Sequence, residues 1–514
     1  MQRRRLSLVT IVSSVVAVVI VAVLTMGGGT AAAPGGRAAT ESDAEGAGVE
    51  DAGVEDAGVE GAGGEGEGEK GGSSEAEEEG QLTQERLDAW RAAKTAGTVR
   101  VKPAPPAPPA GWAGEQVISP TADDWEPAIA ADPHAPYVYL LSTRYTGPTA
   151  CGNQCPLPYH VLKISTDGGA TWGADQYLCA CRGVQGQFDP EIEVVPNTGA
   201  VYAAWMNGFN VVFSKSTNHG QTWTTPVPVY GNVSWNDKPI LAVSDNGNDV
   251  YIAFNGPTGG DPYVAQSHDG GGTWTQTKIV ESKRYIYAFD GDVLPNGTVV
   301  FSETSLLYGG GGALTGDDQV NVYRSINGGA SWTTNLVDTV QIGPVCMAAG
   351  CPADYYPGHS AIAGFGNSNL VLLYDGATVS GGNETVYVQR SSNGGATWSG
   401  KQALSTSGEM GDFPSVEMAS AADVRSWYMQ TNGGNFDAWN VWYRSSADGG
   451  LTWTAPVKIS DVTSGASYKT ANGFLEPYGD YGETAITSAG KTVATWGEGN
   501  SYTGPGGVWV NRQT

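Results

Sequence analysis

Aromatic side chains recur in seven similar segments along the last four-fifths of the chain, and six of these segments also contain a carboxylate. Examples are residues 124–127 (Asp-Trp-Glu-Pro), 188–191 (Phe-Asp-Pro-Glu) and 289–292 (Phe-Asp-Gly-Asp). Aromatic rings stack on the apolar faces of sugar rings, and carboxyl groups bind sugar hydroxyls or cleave glycosidic bonds in pairs. The pattern therefore indicates a carbohydrate site.

These segments supply most of the candidate site residues. The predicted catalytic residues are Asp237, Asp290, Asp292 and Tyr481. The predicted substrate-binding residues are Arg144, Trp125, Asp189, Glu191, Trp235, Tyr356, His359 and Asp480. The competing interpretation is that the acids cap strand starts and bond neighbouring backbone, since a repeated residue in a repeat protein usually serves the repeat. A calcium ion among the carboxylates is a third alternative, and no other cofactor is expected.

The elements that position these residues are predicted from an eight-residue motif, Ser-x-Asp/Asn-x-Gly-x-Thr/Ser-Trp. The motif occurs six times between residues 165 and 453, and its closing tryptophans lie 51, 51, 58, 66 and 55 residues apart. A repeat of this period, built from short strands and tight turns, indicates a radial array of small sheets. The predicted fold is therefore an all-β propeller.

Each residue type in the motif suits a turn between two strands. The third position is Asp or Asn, whose side chains bond nearby backbone and tolerate left-handed dihedral angles. The fifth position is Gly, which adopts a positive φ without a Cβ clash. The Thr or Ser can bond back into the turn, and the Trp can bury a large face. We interpret the motif aspartates as turn residues, with ligand or metal binding as the alternative.

The six copies are similar to Asp boxes, the repeats of bacterial neuraminidases. On these motifs residues 113–514 resemble the sialidase superfamily of propellers. The resemblance implies a glycan-acting, sialidase-like glycoside hydrolase. It also implies an arginine triad, an Arg-Ile-Pro motif, a Tyr–Glu nucleophile pair and an Asp acid/base.

This sequence departs from part of that catalytic set. Arg-Ile-Pro is absent, and only Arg144, Arg182 and Arg284 among the propeller arginines are expected to reach the face opposite the motifs. Tyr481 with Glu483 corresponds to the nucleophile pair, and Tyr478 with Glu476 is the alternative match. The arginine triad itself is not found.

The strand-opening segments predict seven blades, with six as the alternative. The seventh opening, at residues 480–483, is followed by strands through Val510 but by no motif copy. We expect the outer strand of this blade to come from residues 116–118 near the start of the domain. Such a closure removes the exposed edge of an open array.

All six cysteines are predicted to lie on the face opposite the motifs, here called the loop face. In an up-and-down blade, the connections from second to third strand and from blade to blade emerge there, and these connections hold Cys151, Cys155, Cys179, Cys181, Cys346 and Cys351. An even number in an exported protein predicts disulfides, with zinc binding as the rival. We expect a local Cys346–Cys351 bridge, and the pairing of the other four stays open.

The first 112 residues differ from the propeller in composition and are predicted not to belong to it. Residues 1–33, with three arginines before an uncharged run, indicate a signal peptide or an uncleaved membrane anchor. Residues 34–81 are a Gly/Glu/Ala-rich acidic linker that is expected to be disordered. Residues 82–112 are predicted to form a short helix and a Pro-rich connector. The protein is therefore expected to be secreted or anchored at the cell surface.

Charge and family together define the expected partners. The chain carries a net charge of −26, which disfavours nucleic acid. A glycan or glycoconjugate is the expected partner of a monomer, and membrane contact is expected only through an uncleaved N-terminal segment. We favour a glycoside hydrolase. The alternatives are a non-catalytic glycan-binding propeller and a protein-binding scaffold with an acidic face.

Overall fold

Short antiparallel strands make up the regular structure of the chain in the computed structural model. The described residues are 107–147, 158–178, 186–256, 260–281, 284–307, 317–343, 358–433, 435–460, 482–499 and 506–514. Within these ranges no helix is long and apolar enough to cross a membrane. The predicted segments 1–33 and 34–81, and residues 82–106 of the third, lie outside the described residues. So do the six cysteines, Tyr356, Asp480 and Tyr481.

The strands fall into consecutive groups of four. A single strand, β1 (Gln116–Val117), comes first. The first blade contains β2 (Asp123–Ala131), β3 (Val138–Thr146), β4 (Tyr159–Ser165) and β5 (Gln176–Tyr177). The second contains β6 (Gln187–Val194), β7 (Val201–Asn207), β8 (Val211–Ser216) and β9 (Val227–Pro228). The third contains β10 (Asp237–Val243), β11 (Val250–Asn255), β12 (Pro262–Ser267) and β13 (Thr275–Lys278).

The same order continues to the end of the chain. The fourth blade contains β14 (Tyr285–Val293), β15 (Val299–Leu306), β16 (Asp317–Ser325) and β17 (Thr333–Gln341). The fifth contains β18 (Ser360–Phe365), β19 (Asn369–Tyr374), β20 (Tyr387–Ser391) and β21 (Gln402–Ala403). The sixth contains β22 (Gly411–Met418), β23 (Val424–Asn432), β24 (Asn435–Ser446) and β25 (Val457–Lys458). The seventh contains β26 (Thr484–Ile486), β27 (Thr492–Gly499) and β28 (Gly506–Arg512).

The ring closes by combining the two ends of the propeller in one sheet. The seventh sheet has the order β1-β28-β27-β26, with Gln116 opposite Val510 and Val117 opposite Trp509. The first strands of the blades contact one another in turn, from β2 through β6, β10, β14, β18 and β22 to β26 and back to β2. Seven blades and closure by residues 116–118 are confirmed, and the six-bladed alternative is wrong.

The hydrophobic core lies between neighbouring blades. At the first such interface, Tyr139 and Leu162 of the first blade pack against Ile192 and Trp205 of the second. Alternate residues of a strand point to opposite faces of its sheet, so a sheet packed on both sides is apolar at nearly every position. β7 shows this, since all its residues but the last are buried. Each blade is therefore stabilised by packing against both of its neighbours.

The eight-residue motif forms the turn between the third and fourth strands of six blades. In the first copy, Ser165 Oγ accepts a hydrogen bond from Gly169 N at 2.8 Å, and Asp167 Oδ1 accepts one from Thr171 N at 2.8 Å. The glycine at the fifth position has a φ of 81° in this copy and is positive in all six. The second-position side chains take no part in this network. The motif aspartates therefore act as turn residues, as the sequence predicted.

The closure makes Trp112 a test of the fold. Trp112 is 5% exposed, lies against Tyr443 with ring centroids 4.9 Å apart, and bridges to Gln513. We expect Trp112→Ala to lower the free energy of unfolding by about 3–5 kcal/mol, because a large buried ring leaves a cavity at the seam. Urea unfolding followed by fluorescence measures this. Leu336→Ala, at a side chain that is 57% exposed, is the control and should change it by about 0.5 kcal/mol or less. Equal effects of the two variants would contradict the closure.

Candidate functional site

A channel of about 620 Å³ runs along the propeller axis. Its walls come from the first strand of every blade, and these strands run from the loop face toward the motif face. A volume of this size lies in the range of about 300–1,000 Å³ that small-molecule sites occupy. The channel is therefore the candidate functional site.

Seven carboxylates from five blades line this channel. They are Glu191 and Glu193 of β6, Asp245 after β10, Asp290 and Asp292 of β14, Glu417 of β22, and Glu483 at the start of β26. Glu191 is 7% exposed and the other six are partly exposed. No lysine or arginine is among the described residues that line the channel. The channel is thus strongly acidic.

Several of these carboxylates join one blade to the next. Glu483 Oε2 accepts a hydrogen bond from Ile129 N at 2.6 Å, which links the seventh blade to the first. Asp290 Oδ2 accepts one from Ile362 N at 2.9 Å, which links the fourth blade to the fifth. The inner strands do not pair with each other in a sheet, so side chains must satisfy some of their backbone N–H groups. The competing interpretation of the acids, backbone bonding between neighbours, therefore describes real contacts.

The channel shifts the acids toward their protonated forms. Removal from bulk water raises the pKa of Asp290 to about 7, although hydrogen bonds from the Ile362 and Gly291 amides oppose the shift. The same cause raises the pKa of Asp292 to about 6, opposed by the Gly364 and Val293 amides.

Four of the other channel acids follow the same trend. Burial, with the charges of neighbouring acids, raises the pKa of Glu417 and of Glu483 to about 8. Burial and the charge of Glu483 hold the pKa values of Glu191 and Glu193 well above the usual range for glutamate. Near neutral pH the channel therefore contains protonated and ionised carboxyls side by side.

The segments that open the inner strands of four blades share a backbone irregularity, and the channel acids Glu191, Glu193 and Glu417 follow it. Glu126, Asp189, Lys238 and Phe413 have φ values of 50°, 48°, 46° and 49°, and each precedes a proline. A positive φ is uncommon outside glycine, so four equivalent cases are a property of the repeat. Each coincides with a β-bulge at the start of the inner strand, and such bulges re-aim the residues that follow.

The bulge residues also make contacts between blades. Glu126 Oε2 accepts hydrogen bonds from Thr143 Oγ1 at 2.6 Å and from Asp189 N at 3.1 Å, which ties the first blade to the second. The ammonium of Lys238 lies 5.5 Å from the ring centre of Tyr287 in the next blade. These contacts hold the mouth of the channel together.

A buried histidine lies beside the channel between the fifth and sixth blades. His359 Nδ1 is 3.0 Å from Asp412 Oδ1 and 3.6 Å from Asp375 Oδ2. Asp375 also accepts hydrogen bonds from His359 N at 2.8 Å and Phe413 N at 3.0 Å. One ligand atom from each of the three residues lies within 4.8 Å of the others, so this set could hold a metal ion. A histidine with two carboxylates suits a transition metal better than calcium, which prefers oxygen ligands.

The structure places the predicted site residues in different surroundings. Asp290, Asp292, Glu191 and His359 all line the channel. Asp237 is 5% exposed at the start of β10 and is not among the lining residues. The catalytic role predicted for Asp237 stays a prediction.

The predicted residues on the rim are mostly covered. Trp125 is 1% exposed and packs in a cluster with Phe188 and Met206, whereas Trp235 is partly exposed. Asp189 is 5% exposed. Arg144 is also buried, and its guanidinium is bonded to neighbouring side chains.

Arg144 is held inside the first blade. It is 1% exposed, and its guanidinium donates to Asp124 at 2.6 Å and to Ser119 at 2.9 Å. A third partner is Asp175. A bidentate grip on a substrate carboxylate needs an accessible guanidinium, and these partners occupy that of Arg144. Its substrate-binding role stays a prediction that these contacts do not support.

Glu193 and Glu417 were not predicted as site residues, and Glu483 only as a partner of Tyr481. Glu193 and Glu417 follow a bulge by several residues, where strand alternation places every second side chain toward the axis. The signal available in the sequence was the alternation Pro-Glu-Ile-Glu at 190–193 and Pro-Ser-Val-Glu at 414–417. This alternation identifies the residues that face the axis only if the end of each bulge is known.

Comparison with known proteins concerns the fold. No protein-family model and no curated protein matches the sequence. One similar solved structure is an ulvan lyase, described as a polysaccharide lyase, with 11% identity and a TM-score of 0.44 over 78% of this chain and 95% of that one. Another is the NanB sialidase of Streptococcus pneumoniae, with 11% identity and a TM-score of 0.41 over 77% and 69% of the two chains. A third is the intramolecular trans-sialidase of Ruminococcus gnavus, with 13% identity and a TM-score of 0.40 over 76% and 94%. At these values the likeness does not identify the residues that act in this chain.

The raised pKa values predict how stability depends on pH. Asp290 has a pKa of about 7 in the folded chain, above its ordinary value of 3.8, so its contribution is complete below pH 4 and is lost as the pH rises through 7. Asp290→Asn removes this ionisation and keeps an oxygen that can accept from Ile362 N. We expect the fall in unfolding free energy between pH 5 and pH 8 to shrink by about 1–3 kcal/mol in Asp290→Asn.

Denaturant unfolding at the two pH values measures this difference. Glu281→Gln is the matched control, because Glu281 is 77% exposed on the outside of the third blade. The control should show the same pH dependence as the unmodified chain. An Asp290→Asn variant with unchanged pH dependence would show that Asp290 has an ordinary pKa.

Proposed function

We propose that this chain is an exported glycan-acting propeller that hydrolyses glycosidic bonds with the carboxyls of its central channel. The observation that carries the proposal is the Asp290–Asp292 pair, two carboxyls with raised pKa values on one face of one strand. Glycoside hydrolysis needs a protonated acid and an ionised partner at the same pH. With pKa values of about 7 and about 6, Asp290 suits the acid and Asp292 the base.

The spacing of the pair favours one stereochemical outcome. Asp290 Oδ2 bonds Ile362 N, and Asp292 Oδ2 bonds Gly364 N at 2.6 Å. Those two amides are two residues apart on β18, which corresponds to about 6.6 Å at the rise of an extended strand. Carboxyl groups about 6.5–9.5 Å apart leave room for a water molecule and are typical of inverting enzymes. We therefore propose hydrolysis with inversion at the anomeric carbon.

In the proposed step the proton on Asp290 passes to the glycosidic oxygen as the bond from that oxygen to the anomeric carbon breaks. A water molecule attacks the opposite side of the sugar, and its proton passes to the carboxylate of Asp292. The leaving sugar keeps the proton of Asp290 as its new hydroxyl. Proton exchange with solvent then restores the two carboxyls to their starting states.

The charge of the channel favours a neutral or basic sugar as the substrate. A carboxylated sugar would meet seven acids, with no lysine or arginine among the described lining residues. Like charges at short range in a site shielded from water repel strongly. Sialic acid, which the family resemblance implies, therefore fits this channel less well than an uncharged glycan. We further propose an extracytoplasmic location and a monomeric state.

A non-catalytic glycan-binding propeller is the second candidate. It is favoured by the hydrogen bonds from Ile129, Ile362 and Gly364 amides to channel carboxylates, because those bonds give the acids a structural role. The two candidates differ in what removal of one ionisable group does to turnover.

Turnover of a panel of aryl glycosides, with sialosides included, tests the proposal. We expect hydrolysis of at least one neutral glycoside, and a loss of a hundredfold or more in kcat for Asp290→Asn, of the order that general acid catalysis provides. Proton NMR of the first-formed sugar should show the inverted anomer.

The matched control is Asp269→Asn. Asp269 lies in the motif turn between β12 and β13, and it is not among the residues that line the channel. Three other motif copies carry asparagine at its position. This variant should retain full activity. Glycan binding without turnover by the unmodified chain would leave the binding propeller as the function, and full activity of Asp290→Asn would remove Asp290 from the mechanism.

A further inference from the structure

Three aromatic rings stand in a row on the loop face of the second and third blades. The ring centre of Phe209 lies 5.7 Å from that of Phe188 at an interplanar angle of 30°, and 6.0 Å from that of Trp235 at 13°. Phe188 is buried, whereas Phe209 and Trp235 are partly exposed. The row therefore begins in the protein interior and ends at the surface.

Phe209 is held in an unfavourable backbone conformation. It has a φ of 53° in the turn between β7 and β8, where glycine or asparagine would be less strained. Gly208 and Asn210 flank it, and both residue types tolerate that conformation better. A bulky residue at a positive φ is usually kept for a reason other than stability.

The turn that carries Phe209 is fixed to the segments on both sides. Gly208 N donates to Gly186 O at 3.0 Å in the preceding connection, and Asn236 N donates to Phe209 O at 3.0 Å in the following one. Asn236 Oδ1 also accepts from Val211 N at 3.2 Å. The orientation of the Phe209 ring against Trp235 is therefore set by the backbone as well as by stacking.

The row lies close to the proposed catalytic channel. Phe188 and the channel acid Glu191 are both on β6, three residues apart on either side of the bulge. Trp235 comes two residues before Asp237, where β10 begins. A glycan that enters the channel from the loop face would pass these rings.

We infer that Phe209 and Trp235 form an aromatic platform that binds one pyranose ring of a neutral glycan beside the channel. The apolar C–H face of the sugar packs against the exposed parts of the two rings. The indole Nε1 of Trp235 is itself buried, so the sugar contact is with the ring surfaces alone. The platform binds and orients the chain and takes no part in bond cleavage. This inference rests on the proposed function, since it names a subsite for the same substrate.

Binding at the platform is expected to depend on ring stacking rather than on charge. In this respect the platform differs from the acidic channel. Stacking depends on the shape and polarisability of the rings and is insensitive to salt, whereas contacts with the carboxylates depend on pH and on ions. The platform is also small compared with a protein-binding patch, because it consists of two rings that are only partly exposed. A single sugar ring matches its extent.

The test measures binding of cellohexaose, laminarihexaose, xylohexaose and chitohexaose by isothermal titration calorimetry. The parent protein is the full chain with Asp290→Asn, so that any bound oligosaccharide stays intact. Phe209→Ala and Trp235→Ala are added to this parent. We expect each to weaken binding of the hexaose that binds best by about tenfold, as loss of a stacking partner of this kind predicts.

Two further variants separate binding from folding. Tyr137→Ala removes a partly exposed ring on the motif face that stacks on His219 with centroids 4.2 Å apart, and it should bind like the parent. Phe209→Gly removes the ring and relieves the positive φ. Its melting temperature should equal or exceed that of Phe209→Ala, while it binds as weakly. In the active background, Phe209→Ala should raise KM about tenfold and leave kcat unchanged.

Each outcome decides a specific point. If the parent binds a hexaose and both Phe209→Ala and Trp235→Ala bind it equally well, the platform is wrong and the proposed function stands. Equal losses in Tyr137→Ala and Phe209→Ala would also overturn the platform, because the effect would then be general. If none of the four hexaoses binds the parent and no glycoside is hydrolysed by the unmodified chain, the proposed function and the platform fall together.

Discussion

Closure of seven sheets into a ring forces seven inner strands around one narrow axis, and the remaining features of the molecule follow from this constraint. Acidic side chains on those strands cannot move apart without breaking the ring, and the channel walls shield them in part from bulk water. Their charges therefore act on one another across the channel, and burial favours the protonated forms. An open sheet with the same sequence would leave these carboxyls as ordinary surface acids.

The same carboxyls serve the architecture and make chemistry available. Asp290 accepts a hydrogen bond from the backbone of the next blade, which fixes its position, and burial raises its pKa to about 7, so that a protonated fraction remains near neutral pH. A fixed carboxyl that retains its proton is what a general acid requires. The structural interpretation and the catalytic interpretation of the acids therefore describe two properties of one arrangement.

The fold was predictable because its signals are local and repeated. Each motif turn needs an Asp or Asn and a glycine at fixed positions, and the missing motif in the last blade indicated that residues 116–118 complete it. The location of four residues near the axis was also predictable, because they lie at or just after the segments that open the strands. They are Asp290, Asp292, Glu191 and His359.

Other parts of the site depend on contacts between distant residues and were not predictable. Glu193 and Glu417 face the axis only because a bulge resets the alternation of their strands. Arg144 was predicted to bind a substrate, but Asp124 and Asp175 occupy its guanidinium, and Asp175 lies beyond the next strand. Phe209 has no pattern of its own in the sequence, because its importance comes from a strained turn fixed by two neighbouring blades.

The central claim is that Asp290 keeps its proton near neutral pH while a neighbouring carboxyl is ionised. Carbon-13 NMR of the side-chain carboxyl carbons, with the Asp290 signal assigned by its loss in Asp290→Asn, measures this directly across a pH titration. The account predicts that this signal titrates near pH 7, about three units above an ordinary aspartate. A midpoint near pH 4 would contradict it, because Asp290 would then be ionised at the same pH as Asp292 and could not be the acid of the pair.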